Sequence, residues 1–245
     1  MKLLLDIGNT RIKWCVEKNG EISARGNVSY KLMDFSQEIQ QCWSKLDTPQ
    51  LLAISSVSAK EIRQQLVTIA KQNWPDINVF IAKSSVQACS VTSAYQDAEK
   101  LGVDRWLSLI ALRHYYPEIN CIVDCGTAIT LDCLDETGQH LGGLISPGVQ
   151  LMKKSLYQGT EDLGFINKPY SLGLADSTDS AIYTGTIYAA AGLIEKAVRD
   201  LCQSKALVLT GGDAELIANI LKLEVIVEPD FVFKGLSLLA KEAGV

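Results

Sequence analysis

Histidine is nearly missing from this chain of 245 residues, which carries only His114 and His140. No C-x-x-C pair occurs among its seven cysteines, and neither histidine has ligand spacing to a cysteine pair, which argues against a zinc module. The cysteine number is odd and most of them (Cys15, Cys42, Cys89, Cys121, Cys125, Cys133, Cys202) lie in apolar runs. They read as small buried hydrophobes of a reducing compartment. Long hydrophobic runs are missing too: nothing reaches the roughly 18 apolar residues of a membrane span. The opening MKLLLDIGNT stays apolar only as far as Leu5 before Asp6 interrupts it, so no secretory signal is expected. There is no excess of positive charge either, since 23 Lys+Arg against 28 Asp+Glu leave −5. Binding a nucleic-acid backbone needs clustered cations, and Trp14, Trp43, Trp74 and Trp106 form no base-stacking pattern, so no nucleic-acid partner is expected. The expected setting is the cytoplasm.

What is present is an ordinary globular composition, 47% hydrophobic and 21% charged, long enough for one large domain or two modest ones. A repeat favours two. Residues 5–20, LDIGNTRIKWCVEKNG, align without gaps on 123–138, VDCGTAITLDCLDETG, at an offset of 118. Asp6/Asp124, Gly8/Gly126, Cys15/Cys133 and Gly20/Gly138 are identical. In each copy an apolar strand ends in D-x-G, a second strand follows, and a polar turn ending in Gly leads to a third. Beyond the first meander the pattern predicts helices near 34–46, 58–73 and 103–115 around strands near 50–56 and 77–82. Beyond the second it predicts helices near 147–157, 178–203, 213–221 and 230–243 around strands near 206–210 and 223–227. Each half becomes a mixed sheet with helices on both faces, an α/β architecture. The expected division is 1–117 and 118–245, with Pro117 and Glu118 at the junction and a cleft between the two D-x-G turns.

The turns suggest phosphate chemistry. Asp6 ends a strand, where open α/β sheets place ligands. Gly8 lets the backbone approach an anion, Asn9 and Thr10 supply short donors, and Lys13 can reach back as a point charge. Asp124, Gly126, Thr127 and Thr130 repeat the arrangement, and LTGGDAE (209–215) adds a strand–Gly–Gly–helix junction. A single D-x-G is equally a plain hairpin turn with a local Asp hydrogen bond. Two at matching positions together with T-G-G-D point to a nucleotide site, and the set resembles the acetate and sugar kinase, heat-shock-70 and actin superfamily. Between the turns, GVDRW (102–106) places an Asp-Arg pair at a helix start. That pair offers either a carboxylate to receive a hydroxyl proton and a guanidinium to fork onto an anion, or only helix-end charge.

In DIGNTRIK, GVDRW, DCGTAITLD, GGLISPG (142–148) and TGGDA the chain resembles the type III pantothenate kinases, also described as Bvg accessory factor-like proteins. The resemblance implies two duplicated RNase H-like, actin-like ATPase domains, each with a mixed five-stranded sheet, and transfer of the ATP γ-phosphoryl group to pantothenate. Carried onto this chain, Asp6, Ile7, Gly8, Asn9, Thr10, Arg11, Ile12 and Lys13 cradle the ATP phosphates together with Thr127. Asp104 accepts the hydroxyl proton, while Tyr95, Gly102, Val103, Arg105 and Thr178 line the pantothenate pocket. Asp124 helps hold a monovalent cation, potassium or ammonium, beside the Mg²⁺ that accompanies ATP. The resemblance also implies a homodimer. Two other readings remain at this stage: a non-catalytic nucleotide-binding regulator, and a kinase or phosphatase of the same superfamily acting on another small alcohol or on polyphosphate.

By its own chemistry Thr178 is a helix N-cap candidate, as is Ser177. The small residues of 181–201 suit core or dimer packing, and His114 and His140 are given no catalytic role.

Overall fold

The computed structural model describes residues 1–30, 35–57, 60–159 and 168–245. The chain forms two compact units, one of residues 1–114 with 230–245 and the other of 115–229.

Unit 1 begins with the expected meander: β1 (Lys2–Ile7), β2 (Ile12–Lys18) and β3 (Glu21–Val28). Next come α1 (Phe35–Trp43), β4 (Leu51–Ser56), α2 (Lys60–Asn73) and β5 (Asn78–Ile81). A small hairpin of β6 (Gln87–Ala88) and β7 (Val91–Thr92) and a 3₁₀ turn (Ala98–Lys100) precede α3 (Val103–Tyr115). The sheet order is β3-β2-β1-β4-β5, with the meander antiparallel and β4 and β5 parallel to β1. Leu3, Leu5, Ile7, Ile12, Trp14 and Val16 turn one sheet face onto α1 and α2, where Trp43 and Trp74 stack at 6.2 Å. All four tryptophans are buried, so the aromatic budget is spent on the core.

The last helix, α7 (Phe231–Glu242), also packs in unit 1. A cut at 117/118 assigns it to the second half. Two contacts show why it belongs with the first: Gly235 has no side chain and lies against the main chain of Leu107 on α3, and Arg25 of β3 forks onto Asp230 at the helix start.

Unit 2 repeats the plan with β8 (Cys121–Cys125), β9 (Ala128–Leu134), β10 (His140–Pro147), α4 (Val149–Gly159) and α5 (Thr178–Ala197). A π-helical turn (Val198–Cys202), β11 (Ala206–Thr210), α6 (Ala214–Ala218) and β12 (Glu224–Val227) complete it. The order β10-β9-β8-β11-β12 matches the first sheet strand for strand. α6 ends earlier than expected, and α5 gives way to the π turn where one continuous helix was expected. Ser177, not Thr178, caps α5 by accepting from the Ser180 amide; Thr178 is the first helical residue. Buried His140 pairs with Asp132 across β9 and β10 at 3.0 Å, a structural contact.

The repeat needs one correction. Asp6 pairs with Lys13, whereas Asp124 pairs with Thr130, an offset of 118 before the turn and 117 after it. The second turn is one residue shorter, and the following hairpin regains the residue, which is why Gly20 and Gly138 still align. A slip of one residue exchanges sheet faces. The Cys15/Cys133 identity is therefore not structural: Cys133 lies with Leu131 and Ile129 on the α4–α5 core face, where Val16 lies in unit 1, while Cys15 falls outside the α1–α2 core group.

The cysteines correct the expectation of independent hydrophobes. Cys133 and Cys202 are joined by a disulfide, Cα to Cα 6.0 Å, and buried Cys121 is the neighbour of Cys133 across the ladder. The π turn brings Cys202 to β9, and Asn120 holds its carbonyl at 3.1 Å. Burial pushes the Cys121 thiol up to about 12, which keeps it protonated.

Candidate active site

In unit 1 the site is built on the end of β1. The loop 8–11 is closed by a hydrogen bond from Gly8 N–H to the Arg11 carbonyl at 3.0 Å, and the Tyr30 hydroxyl donates to the Gly8 carbonyl at 2.9 Å. Asn9, Arg11 and Lys13 are exposed, and Thr10 is half-buried. Ile7 and Ile12 have fully buried side chains, so they can serve a ligand only through their main chain. The Arg11 guanidinium donates to Asn27 at 3.2 Å on the exposed face.

Asp6 carries the clearest electrostatic signature. Its pKa is pushed up to about 6, first by burial and then by the charge of Asp104, against the smaller opposing effects of Lys13 and of a 3.1 Å hydrogen bond from Ser55. That coupling places Asp104 in the same electrostatic neighbourhood as the Asp6–Lys13 turn, although 98 positions (104 − 6) separate the two aspartates in sequence.

Asp104 is the second residue of α3. Its Oδ1 accepts from the Arg105 amide at 2.8 Å, and the carboxylate folds back over Gly102, where any Cβ would lie 2.6 Å from Oδ1. A side chain at 102 would push the Asp104 carboxylate from this position. Arg105 is buried, and its guanidinium donates to the Tyr95 hydroxyl at 2.8 Å while lying 5.7 Å from the centre of that ring. The structure thus brings Tyr95, Gly102, Val103, Asp104 and Arg105 together around one helix start.

In unit 2 three glycine turns converge. The loop 126–128 is closed from Gly126 N–H to the Ala128 carbonyl at 3.1 Å. Gly148, ending the GGLISPG segment, donates to the Thr127 carbonyl at 2.9 Å and lies so close that a Cβ would collide with Gly126 and Thr127 main chain. Gly211 of T-G-G-D, at φ +96°, lies equally close to the Asp124 carboxylate and Cys125, and the Asp213 amide donates to the Cys125 carbonyl at 3.0 Å. Thr127 is exposed at this junction, and Thr178 is exposed at the start of α5.

Sequence reasoning missed Lys153. On α4, one helical turn after buried Val149, it is only 5% exposed, with its ammonium 4.3 Å from the centre of the Tyr183 ring. Burial lowers its pKa while Asp213, whose own pKa is raised by burial, acts against that shift. Its position on the buried stripe of α4 was the available signal, since a lysine rarely occupies a core face without a partner.

Known proteins of one family resemble this chain along nearly its whole length. A family model for type III pantothenate kinase matches residues 2–200. The type III pantothenate kinase of Nitrosococcus oceani is 35% identical, covering 99% of this chain and 94% of the relative. That of Teredinibacter turnerae is 37% identical, covering 98% of each chain. Among solved structures, a Baf family protein from Campylobacter jejuni aligns with a TM-score of 0.64 at 23% identity over 99% of this chain and 98% of that one. Component A of the (R)-2-hydroxyglutaryl-CoA dehydratase of Acidaminococcus fermentans aligns with a TM-score of 0.55 at 14% identity, covering 99% and 98%. These two likenesses support the actin-like ATPase fold. With family-level identity over nearly its whole length and the D-x-G, G-V-D-R-W and T-G-G-D segments all in place, the chain belongs to the type III pantothenate kinase family.

Proposed function

We propose that this chain transfers the γ-phosphoryl group of ATP to the primary hydroxyl of pantothenate, producing 4′-phosphopantothenate and ADP at the entry to coenzyme A synthesis. Family membership over almost the full length carries this reading and favours a working kinase over a silent nucleotide-binding regulator.

Phosphoryl transfer passes through a loose transition state, so alignment and charge neutralisation supply most of the catalysis. In our reading the loop 8–11 offers main-chain N–H groups and Lys13 a point charge to the ATP phosphates, and the exposed Thr127 hydroxyl offers a further donor. Asp104 is the proton acceptor. A carboxylate of reference pKa about 3.9 is a weak base for an alcohol, but it can orient the hydroxyl and take the proton late, as the new P–O bond acidifies it. The Arg105 amide, by bonding Oδ1, holds the Asp104 carboxylate in one orientation. Tyr95 and Arg105 form the acceptor pocket with Gly102 and Val103, and Thr178 is the further substrate residue that the family resemblance implies.

The donor sets fit the expected cations. Asp6 is a hard oxygen donor whose charge is opposed by burial and by Asp104, a situation a divalent cation relieves. When bound, Mg²⁺ supplies charge neutralisation between these carboxylates and the polyphosphate. The Asp124 carboxylate, with the Cys125 carbonyl close by at Gly211, supplies oxygen donors of the kind K⁺ or NH₄⁺ takes. The exposed stripe Ala181, Gly185, Ala189 and Gly192 of α5, beside Tyr188 at 55% exposure, supports a homodimer reading. No described helix is long and apolar enough to cross a membrane.

The test is direct. Purified protein with ATP, Mg²⁺ and K⁺ should release ADP only when pantothenate is added; ATP binding without turnover would overturn the kinase reading. Excess chelator should abolish turnover, and undiminished turnover in chelator would remove the divalent ion from the account.

A further inference from the structure

The loop 8–11 is held from one side by the two residues that follow β3. The Tyr30 hydroxyl donates to the Gly8 carbonyl at 2.9 Å, and the Ser29 hydroxyl reaches the Thr10 carbonyl at a longer 3.4 Å. The register explains the reach. Val28, the last residue of β3, pairs with Ile12, the first of β2, so the chain leaving β3 runs beside the loop. Tyr30 is half-buried and packed against the α1–α2 core, which anchors the side chain that carries the hydroxyl. None of the roles assigned above uses it.

Unit 2 holds its turn from the same place. Gly148 is the residue after β10, and its amide donates to the Thr127 carbonyl at 2.9 Å. Both halves therefore tie a carbonyl of the D-x-G turn to the chain just after the third strand. In unit 2 the donor is main chain, whereas in unit 1 it is a pair of side-chain hydroxyls.

Peptide geometry gives the consequence. In a planar trans peptide the carbonyl and the following N–H point in opposite directions. A bond that fixes the Gly8 carbonyl toward Tyr30 thus aims the Asn9 N–H away from Tyr30, and the Thr10 carbonyl and Arg11 N–H follow the same rule. The N–H of Gly8 itself is already bonded to the Arg11 carbonyl. Asn9 is exposed, and its N–H has no acceptor among the described residues. A donor held in place before the ligand arrives avoids the ordering cost that a free loop meets on binding.

We propose that Tyr30 is a positioning residue for the phosphoryl donor: its hydroxyl, supported by Ser29, holds the Gly8–Asn9 peptide so that the Asn9 amide meets a phosphate oxygen of ATP. The inference deepens the kinase reading and rests on it for the identity of the ligand.

The test uses the full chain. Tyr30→Phe keeps the ring and removes only the donor, and Ser29→Ala removes the longer bond. The probes are ATP with Mg²⁺ and inorganic tripolyphosphate, which carries the phosphates without the nucleoside; both are titrated by calorimetry beside KM for pantothenate. Tyr30→Phe should weaken both probes by the same factor, about three- to tenfold, and Ser29→Ala by about twofold. KM for pantothenate at saturating ATP should stay within about twofold of wild type in each. A role confined to stability would lower the melting temperature and leave the affinities alone. Folded Tyr30→Phe protein that binds both probes as tightly as wild type overturns the proposal, and so does an equal weakening toward pantothenate. Should Tyr30→Phe fail to fold, Ser29→Ala decides, and unchanged affinity for both probes overturns it. Wild-type protein that binds ATP without turning over pantothenate would remove the kinase reading instead, and the calorimetric ratios would still decide the role of Tyr30.

Discussion

The two D-x-G turns share a strand order, a closing hydrogen bond and an aspartate, yet they have become different chemical objects. In unit 1 the turn 8–11 exposes Asn9 and Arg11, and Lys13 pairs across from Asp6 on the ladder. In unit 2 the shorter turn 126–128 exposes Thr127, Thr130 pairs across from Asp124, and Gly148 and Gly211 press main chain against the aspartate's surroundings. The first turn presents exposed charge, with the Arg11 guanidinium also bonded to Asn27. The second is locked by close packing. One duplicated scaffold has thus been divided into a charged half and a rigid half, and the loss of one turn residue marks the divergence.

The comparison breaks first at Asp104, the proposed proton acceptor, which lies in unit 1. Asp104→Asn should lower kcat by about 10²- to 10⁴-fold while leaving ATP affinity, read by calorimetry, nearly unchanged. Equal loss of both would make Asp104 a scaffold residue and return unit 1 to the status of a second frame.

Among the described residues, the crosslink belongs to unit 2 alone. Cys133 and Cys202 enclose a separation of 69 residues, so Cys202→Ala or reduction should cost about 4 kcal/mol in the chain-entropy treatment. Denatured, unreduced protein should titrate as five free thiols, matching Cys15, Cys42, Cys89, Cys121 and Cys125. A count that includes Cys133 and Cys202 would end this contrast.

Asp6 sets the next difference. Its folded pKa of about 6 lies above the ordinary 3.8, so between those values the native state binds more protons than the unfolded chain. Stability therefore falls as pH rises from about 4 to about 6 and levels off above. Asp6→Asn should flatten that slope and stabilise the apo protein above pH 6 by up to about 3 kcal/mol, while abolishing ATP-dependent turnover. Thermal melts across pH 4–8, run beside Asp124→Asn, measure how far the two aspartates differ.

The smallest effect compares glycines. Gly148→Ala should cost about 1–3 kcal/mol because its Cβ meets Gly126 and Thr127 main chain. Gly8→Ala, whose nearest neighbour is the Arg11 carbonyl at an ordinary 3.6 Å, should stay within about 0.5 kcal/mol. Equal costs in denaturant titration would mean that the second turn is no more tightly packed than the first.

Much of this was legible in the sequence because it is local. The meanders, the D-x-G turns and the helix starting at Val103 follow from alternation, turn residues and apolar spacing, which act over a few neighbours. The slip after the second turn was hidden because two compensating single-residue changes leave an ungapped alignment intact. The small hairpin β6–β7 escaped because strands that short carry no period. Lys153 was passed over because its burial depends on Tyr183 and Asp213, which come from other elements.

By itself the amino-acid order determined the duplication, the α/β class, the D-x-G turns and the family, since each is written in contiguous residues. Only the folded chain decided that α7 returns to the first sheet, that Cys202 reaches Cys133, and that Asp6 feels Asp104. Those outcomes depend on distances between residues far apart in the chain, and burial sets their strength.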